Sequence, residues 1–448
     1  MSQTQTQTPT ALREQRTSWA RILSWCMWDW GTQPFATVIT TFVFSTYISS
    51  GTLFGNGPGD DSPAMMMGVA MAAAGVLIAL LAPVLGQGSD RSGRRMFHLR
   101  WQTWALATVS AALWFVAPGS QHLWLGLALL GIGNIVSEVA NVNYYAAIDQ
   151  VATPGTVGRV SGYGWGMGYL GGIAILLLIV AVAGTDIGPD GVRNSMLLCG
   201  AWTVLFTIPL FVAIKDRPVV SPPPRRQSPL RAYRDLIGSV IRIHRVSPHT
   251  IWFLLASALF RDGLAGVFTY GAVLAKLVFG FTTGEVIVFG VVANVVAGIA
   301  TIAFGHLDDR VGPKRVILMS LGALVGLGSC IFLLHDRGPV VFWVFGIAMT
   351  LFVGPAQSAS RSFLARIIPE GHSGEVFGLY ATTGRAVSFL ASSLWVLSLW
   401  LGSFFVPAGE SAAHFGILGI ALVLAAGLVA MIPVRETGRA ADHGGWQG

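Results

Sequence analysis

The chain has 448 residues, of which 53% are hydrophobic and only 11% are charged, and its mean hydropathy is +0.64. So few polar side chains cannot cover the surface of a soluble globular protein, and we therefore expect an integral membrane protein. The formal net charge of +7 is spread over short polar connections and is not gathered in one module, which excludes a nucleic-acid-binding domain.

The chain begins with a polar stretch, residues 1–20, that precedes the first apolar run. Residues 1–10 are rich in Gln and Thr and lack the apolar core and the small-residue cleavage site of a signal peptide. We interpret this stretch as a disordered cytoplasmic tail.

Twelve apolar runs follow, and each is long enough to cross a bilayer as a helix, which takes about 20 residues. Six of them lie near residues 24–49, 64–87, 96–117, 122–148, 158–184 and 194–214. The other six lie near residues 249–279, 284–305, 315–335, 339–364, 374–402 and 411–433. They predict an all-α integral membrane protein with twelve transmembrane helices in two six-helix bundles, residues 21–215 and 249–434.

A polar linker, residues 216–248, separates the two bundles, and a polar tail, residues 435–448, ends the chain. The run Pro222-Pro223-Pro224 prevents a helix from continuing into the linker. The segment from Pro229 to His244 fits an amphipathic helix on the membrane surface, and a solvated linker is the equal alternative.

One loop pattern occurs twice, each time between two apolar runs. It reads Gly, three residues, Asp, Arg, any residue, Gly and then basic residues, at 86–95 and again at 305–315. The copies lie 219 residues apart, close to half the chain, and so indicate the duplicated architecture of a transporter. The residues that we assign to a cytoplasmic gate are Gly86, Asp90, Arg91, Gly93, Arg94, Asp149, Gly305, Asp309, Arg310 and Gly312.

The two gate aspartates lie at predicted helix ends, where a carboxylate can meet the N-terminus of another helix or an arginine. We therefore expect Asp90 and Asp309 to make contacts that break when the cytoplasmic side opens, and Asp149 to pair with Arg91 or Arg94. A second repeated pattern supports the duplication. Gly158-Arg159-Val160-Ser161-Gly162 begins the fifth run and Gly374-Glu375-Val376-Phe377-Gly378 begins the eleventh, and we call these two the echoed segments.

The distribution of basic residues predicts the orientation. They gather in alternate connections, including both gate loops and the linker, whereas the loop near 51–63 has Asp60 and Asp61 but no Lys or Arg. By the positive-inside rule, both termini and the linker are predicted to be cytoplasmic, in a plasma or inner membrane.

Charged side chains at bilayer depth are costly and usually face an aqueous cavity or a partner, so they are the candidates for the transport pathway. Asp29 lies among Trp25, Trp28 and Trp30 and is a candidate for proton uptake. An ordinary ion pair or helix cap near the end of the first helix is the alternative for this residue.

The fourth run carries a polar stripe. Asn134, Glu138, Asn141 and Tyr145 fall on one helical face, and a polar face toward lipid would be prohibitive. The stripe therefore predicts either a cavity wall or a hydrogen-bonded seam between helices.

The second half contributes five further candidates. Arg261 and Asp262 are neighbours that point about 100° apart, so at least one needs a partner on another helix. Gln357 and Arg361 share one face of the tenth run, and Arg385 lies inside the eleventh.

We expect Glu138, Asp262 and Arg385, with Asp29 as an alternative, to form the charge network that couples the solute to the conformational change. In the competing interpretation, the arginines of the second half only stabilise one closed state through ion pairs.

Enzymatic and cofactor-dependent activities are not expected. The nine His residues form no paired metal-binding spacing, and the chain has neither a Gly-x-Ser-x-Gly elbow nor a phosphate-binding Gly-x-x-x-x-Gly-Lys loop. Cys26, Cys199 and Cys330 have no disulfide or metal spacing. We therefore expect no metal, no cofactor and no ATP hydrolysis, which fits a secondary transporter.

The repeated loop resembles the cytoplasmic loop motif of the major facilitator superfamily, found between helices two and three and again between helices eight and nine. Other segments resemble its vacuole amino-acid effluxer-like branch, which is named for a fungal autophagy-related protein. These segments are Trp28-Asp29-Trp30-Gly31 through Phe42-Val43-Phe44, Ser161 to Gly166 with Gly168 to Gly171, Phe260 to Gly263, Gln357 to Ser362, and Phe377 to Tyr380. The chain departs from the branch at Thr32-Gln33-Pro34 and around 141–145.

The resemblance implies a major facilitator fold with two pseudo-symmetric halves that rock about a central cavity, and a neutral amino acid as the leading cargo. We expect a small-molecule solute, the proton as coupling ion and the lipid bilayer as partners, no nucleic acid, and a monomer. Proton-coupled efflux of drugs or amphipathic compounds is an alternative, and so is a non-transporting membrane sensor or scaffold.

Overall fold

The structure is a computed structural model that describes residues 18–57, 60–184, 187–216, 229–368, 372–407 and 411–436. The predicted N-terminal tail up to residue 17, the linker residues 217–228 and the C-terminal tail from residue 437 lie outside the described residues. Every secondary-structure element in the described ranges is a helix, which confirms the predicted all-α class.

The described part of the first half contains eight α-helices. Their bounds are α1 Trp19–Pro34, α2 Phe44–Ile48, α3 Gly51–Phe54, α4 Ser62–Ser92, α5 Arg95–Ala112, α6 Ser120–Ala146, α7 Val157–Ala183 and α8 Pro189–Ala213. A π-helix, Phe35–Phe42, joins α1 to α2, so residues 19–48 form one nearly continuous helical segment.

The second half follows the linker helix. The bounds are α9 Pro229–Val246, α10 Pro248–Leu277, α11 Thr283–Val311, α12 Pro313–Leu333, α13 Pro339–Val341, α14 Ile347–Ile367, α15 Ser373–Val387, α16 Leu390–Gly402 and α17 Gly416–Met431. Another π-helix, Phe342–Gly346, joins α13 to α14, and the break at residues 388–389 divides the predicted eleventh run into α15 and α16.

Ten helices in the described ranges are long and apolar enough to cross a bilayer. The segment 19–48 and α5 are the other two membrane-length segments, and both are helical where apolar runs are predicted. α5 is less apolar because it carries Arg95, His98 and Arg100 in its first two turns. The described chain therefore forms two sets of six membrane-length helical segments.

The π-turn in the first segment has a local cause. Pro34 lacks a backbone N–H and crowds the preceding turn, which disturbs the regular hydrogen-bond ladder. The hydroxyls of Thr40 and Thr41 both donate to the carbonyl of Ala36, at 2.8 and 2.7 Å, and satisfy this oxygen where the turn widens. The distortion begins at the Thr32-Gln33-Pro34 departure noted in the sequence.

The linker helix α9 forms over the segment for which the sequence left helix and solvated linker open. Leu236 and Ile243 are buried, whereas Ile237 and Ile241 are exposed. α9 packs against α10 and α4, so it contacts both halves of the molecule.

Glycine ends the helix at each gate loop. α4 ends at Gly93 with a φ of 62°, and α11 ends at Gly312 with a φ of 90°. Residues with a side chain rarely adopt these angles, so the second glycine of each loop pattern has a backbone function. We call the end of the molecule that carries both loops the motif end.

The two halves meet through α4 with α15 and through α7 with α11. Gly86 and Gly374 approach so closely that a Cβ atom on either one would collide with the backbone carbonyl of the other. Gly162 meets Gly305 in the same way, since a Cβ atom on Gly162 would lie 2.9 Å from the Cα of Gly305. Small residues allow this close backbone approach between membrane helices.

The contacts between α4 and α15 lead from the motif end to a cavity. Along α4, Gly86 meets Gly374 and Pro83 meets Gly378. One turn farther, the carbonyl of Ala79 accepts a hydrogen bond of 2.9 Å from the Thr382 hydroxyl. Beyond this level Met71 and Ala72 line a cavity between the halves.

Candidate functional site

A cavity of about 640 Å³ lies between the two halves. Its first-half residues are Asp29, Thr32, Gln33, Ala36, Met71, Ala72, Ser137, Glu138, Asn141, Val142, Tyr145, Trp165, Gly168 and Tyr169. Its second-half residues are Arg261, Asp262, Ala265, Gln357, Arg361, Phe377, Tyr380, Ala381, Gly384, Arg385 and Ser388. Nine of the ten pathway residues expected from the sequence lie in this wall, and the volume suits a small solute.

Asn134 is the pathway residue that lies outside the cavity wall. It is buried one turn before Glu138 on α6, and its Nδ2 atom has no hydrogen-bond partner among the described residues. The predicted polar stripe therefore has two environments, with Glu138, Asn141 and Tyr145 at the cavity and Asn134 between helices.

One ion pair crosses the cavity from half to half. Arg385 Nη2 on α15 lies 2.7 Å from Glu138 Oε1 on α6. The side chains are 27% and 29% exposed, so a solute in the cavity can reach both. From the sequence we expect Asp262 to form a charge network with Glu138 and Arg385. In the structure, Asp262 has a different partner.

Asp262 caps a helix. Its Oδ2 atom accepts a hydrogen bond of 2.6 Å from the backbone N–H of Ala391 in the first turn of α16. The break between α15 and α16 leaves such N–H groups without intrahelical partners, and a carboxylate there also matches the helix dipole. Its neighbour Arg261 donates to the carbonyl of Tyr380 at 2.8 Å and lies over the Tyr380 ring.

A second ion pair also joins the halves, and it is more deeply buried. Arg361 Nη1 on α14 lies 3.5 Å from Asp29 Oδ2 on α1, and Arg361 is only 1% exposed. The Tyr144 hydroxyl donates to the same carboxylate oxygen at 2.9 Å. Arg361 also donates to Ser161 on α7, through Nε to the hydroxyl at 2.9 Å and through Nη2 to the carbonyl at 2.7 Å.

Four aromatic rings surround the Arg361 guanidinium, and we call them the aromatic cage. The ring centroids of Trp25, Tyr145, Trp165 and Tyr144 lie 4.9, 5.0, 5.6 and 5.7 Å from its Cζ atom. Distances of this size are those of cation–π interactions. All four rings belong to the first half, whereas the cation belongs to the second.

The tryptophans beside Asp29 divide between different environments. Trp28 stacks on Tyr144 with ring centroids 4.1 Å apart, and its Nε1 donates to Thr103 at 2.9 Å. Trp30 stacks instead on Trp202, at 5.9 Å. Successive residues of a helix point about 100° apart, so of the three expected neighbours only Trp25 also faces Arg361.

At the motif end, each gate aspartate caps a helix of the opposite half. Asp90 Oδ2 accepts from the backbone N–H of Glu375 at 2.9 Å. Asp309 accepts from the N–H groups of Gly158 and Arg159, at 2.8 and 3.2 Å. The two echoed segments of the sequence are thus the helix starts that the two gate aspartates meet.

Arginines bridge carboxylates next to both contacts. Arg95 lies 2.6 Å from Asp90 and 3.4 Å from Asp149, so it is a partner of Asp149 that the sequence analysis did not name. Arg366 lies 2.9 Å from Asp308 and 3.1 Å from Asp309. The remaining gate arginines differ in setting: Arg94 and Arg310 are exposed and Arg91 is partly buried.

Several residues of these sites were not found from the sequence. Tyr144 adjoins a predicted site residue, but its hydroxyl reaches Asp29 only because α6 and α1 pack together. Ser161 accepts hydrogen bonds from Arg361 of the other half, whereas the Tyr380 carbonyl accepts one from Arg261 within the second half. Both the gate loops and the echoed segments occur twice in the sequence. An expectation that each gate loop contacts one echoed segment could have identified Glu375 and Arg159.

Comparison with known proteins agrees with this architecture. The sequence profile of a family described as Vacuole effluxer Atg22 like matches residues 17–442. The MFS-type transporter YxiO of Bacillus subtilis, itself uncharacterized, is 26% identical over 421 residues, which cover 92% of this chain and 94% of that protein. Autophagy-related protein 22 of Cryptococcus neoformans is 25% identical over 254 residues, 52% of this chain and 46% of the fungal protein.

The chain thus matches about half the length of this fungal relative. Among solved structures, the major facilitator proton:xylose symporter XylE superposes with a TM-score of 0.68 and 15% identity, over 94% of this chain and 96% of XylE. At that identity the likeness concerns the fold.

Proposed function

The chain belongs to the Atg22-like vacuole effluxer family of the major facilitator superfamily, and we propose that this secondary transporter moves small zwitterions, above all neutral amino acids. The observation that carries the proposal is the pair of carboxylate–arginine contacts that join the two halves at the cavity, Asp29 with Arg361 and Glu138 with Arg385. The profile's description as a vacuole effluxer family supports it.

A zwitterion suits this wall because it carries both charges that the wall presents. Its carboxylate can pair with Arg385 and its ammonium with a wall carboxylate, and both sites lie on a cavity of about 640 Å³. Buried charged groups are stabilised only by partners of opposite sign and by hydrogen bonds, which disfavours a purely apolar cargo.

The places where the halves touch support alternating access. The described contacts between α4 and α15 and between α7 and α11 lie toward the motif end, and the cavity lies beyond them. We propose that the motif end is cytoplasmic, on the basis of its arginines, and that this conformation faces the opposite side. Transport then requires the motif end to open and the far ends of the halves to close.

Proton coupling is assigned to Glu138 in this proposal. A solute carboxylate that takes Arg385 leaves Glu138 without its cation, and a proton on Glu138 removes the unpaired charge. Solute and proton would then bind together, because each reduces the cost of the other. The partial exposure of both side chains supports access for the two ligands.

Transport into liposomes tests the proposal. Purified protein is reconstituted, and uptake and exchange of labelled neutral amino acids are followed with and without a pH gradient. We expect uptake that responds to the gradient in the wild type, and exchange without response to the gradient in Glu138→Gln. Asp336→Asn, a change at an exposed carboxylate that is not part of the cavity wall, serves as the control and should behave as wild type.

Three results would contradict parts of this proposal. Normal proton-coupled uptake by Glu138→Gln would remove Glu138 from the coupling mechanism. Transport of amphipathic cations but of no amino acid would favour the efflux of drugs. Folded protein that moves no solute at all would favour a sensor or scaffold.

A further inference from the structure

The aromatic cage has the composition of a binding site for an organic cation. Four rings face a single positive charge, and Asp29 supplies a carboxylate next to it. Proteins that recognise methylated ammonium groups use such cages, because ring faces attract a cation without needing hydrogen bonds from it. In this conformation the cage is filled by Arg361.

The cage and its cation belong to different halves of the molecule. Trp25 lies on α1, Tyr144 and Tyr145 lie on α6, and Trp165 lies on α7, all in the first half. Arg361 reaches them from α14 of the second half. If the two halves separate at the motif end, Arg361 must leave the cage, because its backbone moves with the other half.

Departure of Arg361 leaves a buried charge behind. An arginine is always charged and takes its charge with it. Asp29 would then keep the Tyr144 hydroxyl, at 2.9 Å, but lose the cation to which it is paired. A buried carboxylate without a counter-ion is strongly unfavourable, so another cation is needed in the open state.

A solute can reach this position from the cavity. Asp29, Tyr145, Trp165 and Arg361 all lie in the cavity wall, so one side of the cage faces the solute. Trp25 and Tyr144 are almost fully buried and form the far side. A cation in the cavity therefore lies next to the site that Arg361 occupies.

We propose that the cage binds the ammonium group of the transported solute and that Arg361 occupies this site only while the motif end is closed. The ligand class is an organic amine or quaternary ammonium, of which an amino acid is one case. The inference rests on the proposed transport function and adds to it the site of the amine. Solute and Arg361 exclude each other, which couples binding to the opening of the motif end.

Direct binding to a vacated cage tests the proposal. Arg361→Ala is purified, and binding of labelled tetramethylammonium is measured, because this ion has no N–H and cannot replace the hydrogen bonds of the arginine. We expect saturable binding at least tenfold tighter than to the wild type, and loss of that binding in Arg361→Ala with Trp165→Leu. Folded Arg361→Ala that binds no tighter than wild type would overturn the proposal.

Arg385→Ala is the matched control. It also removes an arginine from a pair that crosses the cavity, but in the described part of the chain no aromatic ring is recorded over Arg385. Its binding of tetramethylammonium should stay at the wild-type level. Equal binding to both alanine variants would show that any vacated arginine site attracts cations, and would overturn the cage assignment.

A second measurement leaves Arg361 in place, compares the wild type with Trp165→Leu, and applies if Arg361→Ala does not fold. Inhibition of alanine exchange is compared for ethylamine, which lacks the carboxylate, and propionate, which lacks the amine. We expect Trp165→Leu to weaken inhibition by ethylamine at least fivefold and to leave propionate unchanged. Equal weakening of both, or of neither, would overturn the proposal.

These results separate the inference from the proposed function. If alanine is transported but the cage variants leave amine binding unchanged, the inference fails and the proposed function stands. If tetramethylammonium binds the vacated cage but no amino acid is transported, the cation site stands and the proposed cargo is wrong.

Discussion

At the scale of single residues, Tyr144 shows how one hydroxyl organises a charged centre. Its ring lies between Trp25 and Trp28, with centroids 4.4 and 4.1 Å away, and its hydroxyl donates to Asp29. The stacked rings fix where the hydroxyl lies, so the carboxylate keeps one orientation toward Arg361.

We expect Tyr144→Phe to lower the stability of the folded protein by about 2 kcal/mol, because it removes a hydrogen bond to a buried charged group. Thermal unfolding in detergent measures this change. Tyr145→Phe is the control, since its ring also faces Arg361 and it makes no hydrogen bond to Asp29 among the described contacts. Equal losses in both variants would mean that the hydroxyl contact contributes nothing.

Asp60 is a charged residue outside the membrane-length helices whose environment sets its titration. Its carboxylate accepts from the N–H groups of Asn56 and Ser62, at 2.8 and 2.9 Å, and these bonds lower its pKa to about 2. A folded pKa below the unfolded value means that this contact stabilises the loop at neutral pH and is lost as the pH falls through the folded pKa.

We therefore expect the loop around Asp60 to remain resistant to an acid protease at pH 4 and to become susceptible between pH 3 and pH 2. Limited proteolysis as a function of pH measures this. Asp60→Asn should already be susceptible at pH 4, and protection equal to wild type in that variant would contradict the assignment.

At the scale of helices, the close approach of α4 and α15 depends on glycine at specific positions. A Cβ atom on Gly86 would collide with the Gly374 carbonyl, whereas Gly88, two residues later, has no atom within 4 Å of such a Cβ. Gly86 and Gly88 thus lie on the same helix, but Gly86 is in a tight contact and Gly88 lies beside open space.

We expect Gly86→Ala to destabilise the closed motif end by about 2 kcal/mol, since overpacking at a tight contact costs this much. Gly88→Ala should be neutral or slightly stabilising, because alanine is the better helix former. Reactivity of a cysteine placed at Ser358, at the contact with Ser161, measures opening of the motif end. Equal reactivity in both variants would mean that the glycine contact does not set the closed state.

The helices themselves were largely predictable, because a run of about 20 apolar residues has few alternatives to a membrane helix. The runs near 24–49 and 374–402 were the exceptions. The first contains Pro34 and a π-turn, and the second breaks at residues 388–389, where Asp262 caps α16. Hydropathy averages over a window and does not detect one altered turn.

Nine of the ten predicted pathway residues lie in the cavity wall, but the sequence predicted their ion-pair partners less well. Charge at bilayer depth placed Glu138 and Arg385 in one network with Asp262, and in the structure Glu138 and Arg385 lie 2.7 Å apart whereas Asp262 caps α16. The aromatic cage could not be derived, because its rings come from three helices whose relative rotation is decided by packing.

At the scale of the whole molecule, two equivalent contacts join the halves at the motif end. Asp90 caps α15, and Asp309 caps α7. The duplicated sequence thus produces a nearly symmetric closure, although Arg95 of α5 supports one contact and Arg366 of α14 the other.

We expect Asp309→Ala to shift the population toward an open motif end by about 2 kcal/mol, since it removes charge-assisted hydrogen bonds that exist only when the halves touch. Spin labels at Arg94 and Arg435, which are exposed on opposite halves, should report a longer distance. Asp190→Ala, at an 88% exposed carboxylate on α8, is the control. An unchanged distance in Asp309→Ala would contradict the role of this contact.

The doubling of the aspartate caps also has a kinetic consequence. The Asp90 and Asp309 contacts join the same two halves, so in the proposed mechanism both contacts must break before the motif end can open. The free energies of the two contacts then add in one barrier. Each 1.4 kcal/mol corresponds to about a tenfold change in rate. We therefore expect substitutions at either of these two carboxylates to change the turnover number of the transporter without altering which solute is carried.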